Sequence, residues 1–172
     1  MAADPIASIR GYLYRVFYRV PPRWRRRLVR LATPTYTVGA VLLVHERGDG
    51  PPRSLLLLRQ PPGRGWSLPA GLLKRNEPPH VGGARELHEE TGLSVEPAQL
   101  RPADPTAVVH TRGRWIDVVF TVRVPETAPL HADGGEVIEV RWHRLDALPP
   151  LTPATAGLLG RYGIGPRAGT PA

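Results

Sequence analysis

Three glutamates in the segment RELHEE have a spacing that suits them to hold a divalent cation. Glu86, Glu89 and Glu90 follow one another by three residues and then one, so on a helix all three carboxylates project from one face. Crowded like charges raise each other's pKa values and cost free energy. A hard cation such as Mg²⁺ or Mn²⁺, which prefers oxygen ligands, offsets that repulsion. The alternative is a solvated acidic helix face, the ordinary interpretation of an isolated ExxEE pattern.

The loop before this helix, LPAGLLKRNEPP, extends the pattern. Its glycine allows the backbone to approach a ligand closely and to offer carbonyl oxygens. Loop and helix together match G-x5-E-x7-R-E-U-x-E-E-x-G-U, where U is aliphatic, at all nine specified positions: Gly71, Glu77, Arg85, Glu86, Leu87, Glu89, Glu90, Gly92 and Leu93. This is the signature of the Nudix hydrolases, and the chain resembles that family over residues 35–162.

The resemblance implies a fold, a reaction and a metal site. Nudix hydrolases share an α+β fold, an α/β/α sandwich around a mixed β-sheet. They hydrolyse a nucleoside diphosphate linked to another moiety, using Mg²⁺ or Mn²⁺. On this chain the resemblance assigns the metal to Glu86, Glu89 and Glu90, with the carbonyl of Ala70 as a further ligand.

The remaining signature residues have supporting and catalytic roles by the same resemblance. Arg85 and Glu77 are expected to pair, bracing the loop and orienting the metal-binding carboxylates. A carboxylate must also accept a proton from the attacking water. In this family that base lies either in the signature or in a downstream loop, so Glu89 and Glu136 are the two candidates. The sequence leaves the choice open.

Substrate recognition is less clearly encoded. Arg59, Arg112 and Arg114 are candidate phosphate ligands, and Trp66 is a candidate stacking surface for a nucleobase. For each residue alone, a solvated arginine or a packed tryptophan is the simpler interpretation. The LPAG variant recurs among Nudix members that act on ADP-ribose and nucleotide sugars, so the expected substrate is of that type or a nucleoside triphosphate. Two alternatives stay open: a nucleotide-binding or regulatory module without turnover, and a hydrolase of RNA 5′ ends.

Elements that position these residues follow from hydrophobic periodicity. Strands are predicted for TYTVGAVLLV, SLLLLRQ, WSLPAG, AVVHT, WIDVVFTVRV and VIEVRWHRL. The glutamates lie on a helix, VGGARELHEET, in which Val81, Ala84 and Leu87 are expected to face the core and which Gly92 ends. A last helix covers residues 153–162, with Thr152 as its N-cap.

The chain is expected to contain a basic amphipathic helical extension (residues 1–34), a Nudix domain (35–163) and a mobile C-terminal tail (164–172). Of the net charge of +8, the extension holds +7, from eight arginines and one acid. Its apolar residues have helical spacing, first from Ile6 to Val20 and then in WRRRLVRLA. The favoured interpretation is an amphipathic hairpin packed on the domain with solvated arginines. An acidic lipid surface, nucleic acid or a second copy of the chain in a homodimer are the alternative partners.

Composition excludes several classes of site. The chain has no cysteine, which removes disulfides, thiolate metal ligands and thiol nucleophiles and suits a reducing compartment. No apolar stretch has the length needed to span a bilayer. No apolar core follows the arginine run Arg25–Arg27, so a secretory signal is not expected. A cytoplasmic location is therefore predicted.

Overall fold

The computed structural model describes residues 12, 14–110, 113–132 and 134–169. Its contacts divide the chain into two units, Met1–Tyr36 and Thr37–Ala172. In the first unit, residues 14–19 are helical and helix α1 spans Pro22–Ala32. The prolines at 21 and 22 separate these helices, as the sequence predicts, whereas Ile6, Ile9 and Leu13 of the predicted stripe lie outside the described residues. No helix in the described residues is long and apolar enough to cross a membrane.

The second unit contains six strands and two helices among its described residues. In chain order these are β1 (Thr37–Glu46), β2 (Ser54–Arg59), β3 (Ala70–Leu72), α2 (Pro79–Thr91), a 3₁₀ turn (Pro97–Gln99), β4 (Arg101–His110), β5 (Trp115–Val124), β6 (Glu139–Arg144) and α3 (Pro153–Gly160). Each predicted strand and helix of the domain overlaps one of these elements; the bounds differ most at β3, predicted as WSLPAG, and at β4.

The strands form one mixed sheet in the order β4-β5-β1-β2-β6, with β3 also paired to β1. Strands β1 and β5 are parallel, and the other pairs are antiparallel. Strands β2 and β3 both pair with β1, at different heights: His45 lies opposite Leu55, and Val41 lies opposite Ala70. This arrangement places the start of the glycine loop against the middle of the sheet.

The sheet is covered by a helix on each face. Because side chains alternate along a strand, Leu42 on one face of β1 packs in a cluster with Leu87 of α2. Leu43, on the opposite face, packs in a second cluster with Leu159 of α3. These two clusters confirm the predicted α+β fold, an α/β/α sandwich around a mixed sheet.

Strand β4 begins earlier than the sequence suggests. The prediction starts this strand at Ala107, whereas the structure starts it at Arg101 and includes Pro102 and Pro105. A proline removes a backbone donor, which an edge strand tolerates because one side of the strand is unpaired. Strand β4 is such an edge, and its pairing with β5 is irregular between Pro102 and Ala107.

Of three smaller predictions, the structure confirms the N-cap of α3 and differs on Val81 and on the C-terminal segment. Val81 is 37% exposed and does not join the core, because it lies in the first turn of α2. Thr152 is the N-cap of α3, and its hydroxyl accepts a hydrogen bond from the Thr155 backbone N–H. In the segment expected to be a mobile tail, Ile164 packs against the second core cluster, while residues 170–172 lie outside the described residues.

Helix α2 ends at Gly92, and this glycine provides a test of the helix end. Its φ of 75° lies in the left-handed region, where a side chain costs about 1–2 kcal/mol. An added Cβ would also lie 3.1 Å from the Cβ of His131. We expect Gly92→Ala to lower the free energy of unfolding by about 1–2 kcal/mol in urea titrations. Gly113→Ala is the control, since no atom lies within 4 Å of an added Cβ there; equal losses in both variants would contradict the prediction.

Candidate metal centre and catalytic site

The three glutamates of α2 lie in different environments. The side chain of Glu86 is 15% exposed and that of Glu89 is 51% exposed, whereas Glu90 is buried. Nη1 of Arg85 donates to Oε1 of Glu86 at 2.7 Å and to Oε2 of Glu89 at 2.9 Å. The three glutamates of the predicted cluster therefore differ in exposure, and Glu86 and Glu89 share one guanidinium nitrogen.

Glu90 is held by two donors from the sheet. Its Oε2 accepts from the backbone N–H of Ala70 at 2.9 Å, and its Oε1 accepts from Nε2 of Gln60 at 3.2 Å. A buried carboxylate needs such hydrogen bonds because burial without partners is costly. Within the part of the chain that the structure describes, no three His, Asp or Glu side chains converge as a metal-binding group.

Arg85 and Glu77 form the predicted pair. Nε and Nη2 of Arg85 donate to Oε1 and Oε2 of Glu77, both at 2.9 Å, in the parallel two-bond geometry that guanidinium and carboxylate favour. Nη2 also donates to the Leu72 carbonyl at 3.1 Å. Hydrogen bonds from Arg85 and then from the Lys74 N–H lower the pKa of Glu77 to about 2. One guanidinium thus joins the loop, β3 and two of the helix glutamates.

Glycines allow the loop and the helix to approach each other. Gly71 lies within β3, and an added Cβ there would overlap the carboxylate of Glu86. Gly82, for which the sequence offers no account, has a similar role. A Cβ on Gly82 would lie 2.5 Å from Cδ2 of Leu73 and 3.0 Å from Oε2 of Glu77. Glycine at position 82 lowers the intrinsic stability of the helix, but it allows the helix to pack closely on the glycine loop.

The donor set fits a hard divalent cation. The oxygens of Glu86 and Glu89 reach the same nitrogen of Arg85, and the Glu86 carboxylate lies against the backbone of Gly71. Carboxylate oxygens are the ligands that Mg²⁺ and Mn²⁺ prefer. In this structure the guanidinium of Arg85 bonds to both carboxylates, and Nζ of Lys74 lies 3.9 Å from Oε1 of Glu89.

Glu136, the second candidate base, is exposed in the loop that precedes β6. Two residues later, the N–H of Ile138 donates to the carbonyl of Arg59 at 2.8 Å. Arg59 precedes Gln60, which bonds to Glu90. The loop that carries Glu136 is therefore attached to the same strand end as the buried glutamate.

Two of the four candidate substrate residues, Arg59 and Trp66, have partners within the protein. Nη2 of Arg59 lies 2.7 Å from Oε2 of Glu139, and its guanidinium carbon lies 5.7 Å from the centre of the Trp66 ring. Trp66 contacts His143 edge-on, with ring centres 4.3 Å apart, and packs against the second core cluster. Arg114 has a positive φ of 50° in the turn before β5. Arg112 lies outside the described residues.

A cavity of about 490 Å³ is connected to Glu90 through two of its lining residues. Gln60 and Ala70, the two residues that bond to Glu90, also line it. Its other polar lining residues are Ser67, His110, Trp115, Asp117, Thr152 and Thr155. The cavity therefore adjoins the site through the same two residues that hold Glu90.

A polar group on β4 and β5 lines this cavity, and sequence reasoning missed it. Nε2 of His110 lies 2.9 Å from Oδ2 of Asp117, and Nε1 of Trp115 donates to Oδ1 of the same carboxylate. The sequence feature that could have indicated this group is Asp117, a charged residue that interrupts the apolar strand WIDVVF. A charge in such a strand indicates a functional or paired position, but its partner His110 becomes evident only from strand pairing.

Known proteins resemble this chain in sequence and in fold. The profile of the NUDIX domain family matches residues 33–161. A MutT-like protein of Streptomyces ambofaciens is 34% identical over 96 residues, which are 56% of this chain and 56% of that protein. The chain thus spans about half the length of this curated relative.

Two solved structures show the same fold. A MutT NUDIX hydrolase from Burkholderia pseudomallei has a TM-score of 0.55 and 26% identity, and the match covers 71% of this chain and 94% of that one. The NUDIX domain of NrtR from Shewanella oneidensis, solved with ADP ribose, has a TM-score of 0.58 and 18% identity, with 77% and 89% of the two chains covered. At 18% identity the likeness is one of fold alone.

Proposed function

The chain belongs to the NUDIX family, and we propose that it is a metal-dependent hydrolase of the diphosphate linkage in a nucleoside diphosphate derivative. The observation that supports this proposal most directly is the Arg85 network. It holds Glu77, Glu86 and Glu89 together beside the glycine loop. A solvated acidic helix face would not need a half-buried arginine that bonds to three carboxylates and a backbone carbonyl.

We assign the cation, Mg²⁺ or Mn²⁺, to Glu86, Glu89, Glu90 and the Ala70 carbonyl. When bound, such a cation supplies positive charge that offsets the diphosphate and makes water easier to deprotonate. Arg85 and Glu77 are positioning residues, because their paired hydrogen bonds orient the carboxylates and the loop. Gly71 gives the Glu86 carboxylate the room that this arrangement requires.

Glu89 or Glu136 accepts the proton of the attacking water. The water oxygen forms a bond to one phosphorus of the P–O–P linkage, and the bond from that phosphorus to the bridging oxygen breaks. The bridging oxygen leaves on the other phosphate, so both products carry a phosphate group. Both candidates are exposed enough to reach a solvent-derived nucleophile: Glu89 is 51% exposed, and Glu136 is exposed in its loop. Free access to water is what a base in a hydrolysis requires.

The cavity next to Glu90 is the proposed site of the organic part of the substrate. Its mixture of apolar walls and a few directed polar groups is typical of small-molecule sites. The acceptor oxygens of Asp117 and the hydroxyl groups of Thr152 and Thr155 lie among its lining and offer hydrogen bonds to a sugar or a base. ADP-ribose, which the NrtR domain binds, is therefore included among the candidates with nucleotide sugars and nucleoside triphosphates.

The proposal is tested by incubating the full chain with a panel of these substrates and Mg²⁺ or Mn²⁺, and by resolving products by mass. We expect release of a nucleoside monophosphate or an equivalent product that stops when EDTA removes the metal. Nucleotide binding without any metal-dependent product across the panel would instead indicate a binding or regulatory module. Turnover confined to 5′-capped or triphosphorylated RNA would overturn the small-molecule assignment and retain the hydrolase.

A further inference from the structure

Helix α1, Pro22–Ala32, has two chemically different faces. Arginines at positions 23, 26, 27 and 30 follow the i, i+3, i+4, i+7 spacing of one helix face. Trp24, Leu28 and Leu31 are spaced by four and three residues and form a second, apolar face. An amphipathic helix of this kind needs an apolar environment on one side and a polar one on the other.

The apolar face of α1 is exposed. Trp24 is 51% exposed, Leu28 is 49% exposed and Leu31 is 86% exposed, and the helix has no buried residue. Of the twelve exposed large hydrophobic residues in the described chain, eight lie in α1 or in the ten residues before it, a segment that spans residues 12–32: Tyr12, Tyr14, Val16, Tyr18, Trp24, Leu28, Val29 and Leu31. Apolar side chains gathered at one place on a surface mark an interaction site.

The charge of the segment indicates what kind of surface it contacts. Residues 14–36 contain seven arginines and no acidic residue. Arg25 and Arg27 lie 5.1 Å and 5.0 Å from the ring centres of Tyr18 and Trp24, so their charges stay beside the aromatic groups. Such a density of like charge repels a second copy of the segment and attracts an anionic surface.

Two classes of anionic partner differ in what they offer the apolar face. Nucleic acid supplies phosphates for the arginines but no hydrocarbon surface for Leu28 and Leu31. A bilayer of anionic phospholipids supplies both, and its interface also favours tyrosine and tryptophan. We infer that residues 14–32 bind the surface of an anionic phospholipid bilayer, with α1 lying in the headgroup plane. This inference is independent of the hydrolase chemistry.

Flotation of the full chain with phosphatidylcholine vesicles, with and without phosphatidylglycerol, tests the inference. We expect binding only to the vesicles that contain phosphatidylglycerol, and weaker binding as ionic strength rises. Arg26→Glu/Arg30→Glu is expected to weaken binding by at least about tenfold, since each arginine near an anionic membrane contributes substantially. Arg101→Glu/Arg161→Glu changes net charge equally at exposed positions of the second unit and is expected to have a smaller effect.

The apolar face is tested separately. Leu28→Ser/Leu31→Ser keeps the charge and is expected to weaken vesicle binding by about tenfold or more. Vesicles with brominated acyl chains are expected to quench tryptophan fluorescence in the original chain, and the quenching is expected to disappear in Trp24→Phe. Circular dichroism of each variant establishes that it is folded.

Three results would overturn the inference. The first is failure of the original chain to float with anionic vesicles. The second is vesicle binding that Arg26→Glu/Arg30→Glu abolishes but Leu28→Ser/Leu31→Ser leaves intact, together with tighter binding to RNA, which would assign the arginines to nucleic acid. The third is self-association without lipid that Leu28→Ser/Leu31→Ser abolishes, which would assign the apolar face to a second copy of the chain.

Discussion

Glu89→Gln is expected to lower kcat for the metal-dependent hydrolysis by about 10²–10⁴-fold, the range for loss of an acid–base group. Glu89 is proposed both as a metal ligand and as one of two candidate bases. Glutamine keeps the size of the side chain but has no charge for the cation and no site for the water proton. Because Glu89 is 51% exposed, we expect the melting temperature to change little, so the loss is one of chemistry.

The control is Glu126→Gln, which changes an exposed glutamate in the turn after β5 and is expected to leave kcat unchanged. Steady-state kinetics at increasing Mg²⁺ or Mn²⁺ then divide the two roles of Glu89. If Glu89 acts only as a metal ligand, a higher metal concentration restores the turnover of Glu89→Gln. In that case Glu136 is the base, and the turnover of Glu136→Gln is not restored by metal. If Glu89→Gln retains the kcat of the Glu126→Gln control, the assignment of the metal and the base to α2 is wrong.

Arg85→Lys is expected to lower activity by about 10–100-fold, as loss of a residue that orients metal ligands typically does. Lysine retains the charge but has no planar fork, so it cannot form both bonds to Glu77 and also reach Glu86 and Glu89. We expect the free energy of unfolding to fall by about 1–3 kcal/mol, because hydrogen bonds to partly buried charged groups are lost. Urea titration and the metal dependence of kcat measure the two effects.

Arg144→Lys is the matched control for Arg85→Lys. Arg144 forms an equally close two-bond pair with Asp146, but both side chains are exposed and neither contacts the glutamates. Exposed pairs contribute little to stability, so both activity and unfolding should be unchanged in this variant. Equal effects of the two substitutions would show that Arg85 has no special positioning role.

Local patterns in the sequence predicted most of the fold. Alternation and β-branched residues identified the strands. The helix of the glutamates was recognised from the spacing of Ala84 and Leu87 and from Gly92, which ends the helix with a φ of 75°. These features depend on residues a few positions apart, and the backbone geometry of such short stretches repeats from protein to protein. The pairing of Arg85 with Glu77 was predicted from the family signature and is present in the structure.

Other properties of the site arise from contacts between distant segments. Glu90 bonds to Ala70 and Gln60, which lie 20 and 30 residues away from it, whereas Glu86 and Glu89 bond to Arg85. The sequence shows three equivalent carboxylates, because helical spacing alone contains no information about which of them meets the sheet. The need for glycine at position 82 likewise depends on Leu73, which the loop folds back against the helix.

The sequence by itself determined the family, the order of the strands and helices along the chain, and the residue types that can hold a cation. These properties depend on residues that are close together in the sequence, where the connectivity of the chain restricts the backbone geometry. Only the tertiary structure decided that Glu90 is buried and bonds to β3, that His110 meets Asp117 in the wall of the cavity, and that the apolar face of α1 is exposed. Each of these depends on the pairing of β-strands or the packing of segments far apart in sequence, and burial is a property of that whole arrangement.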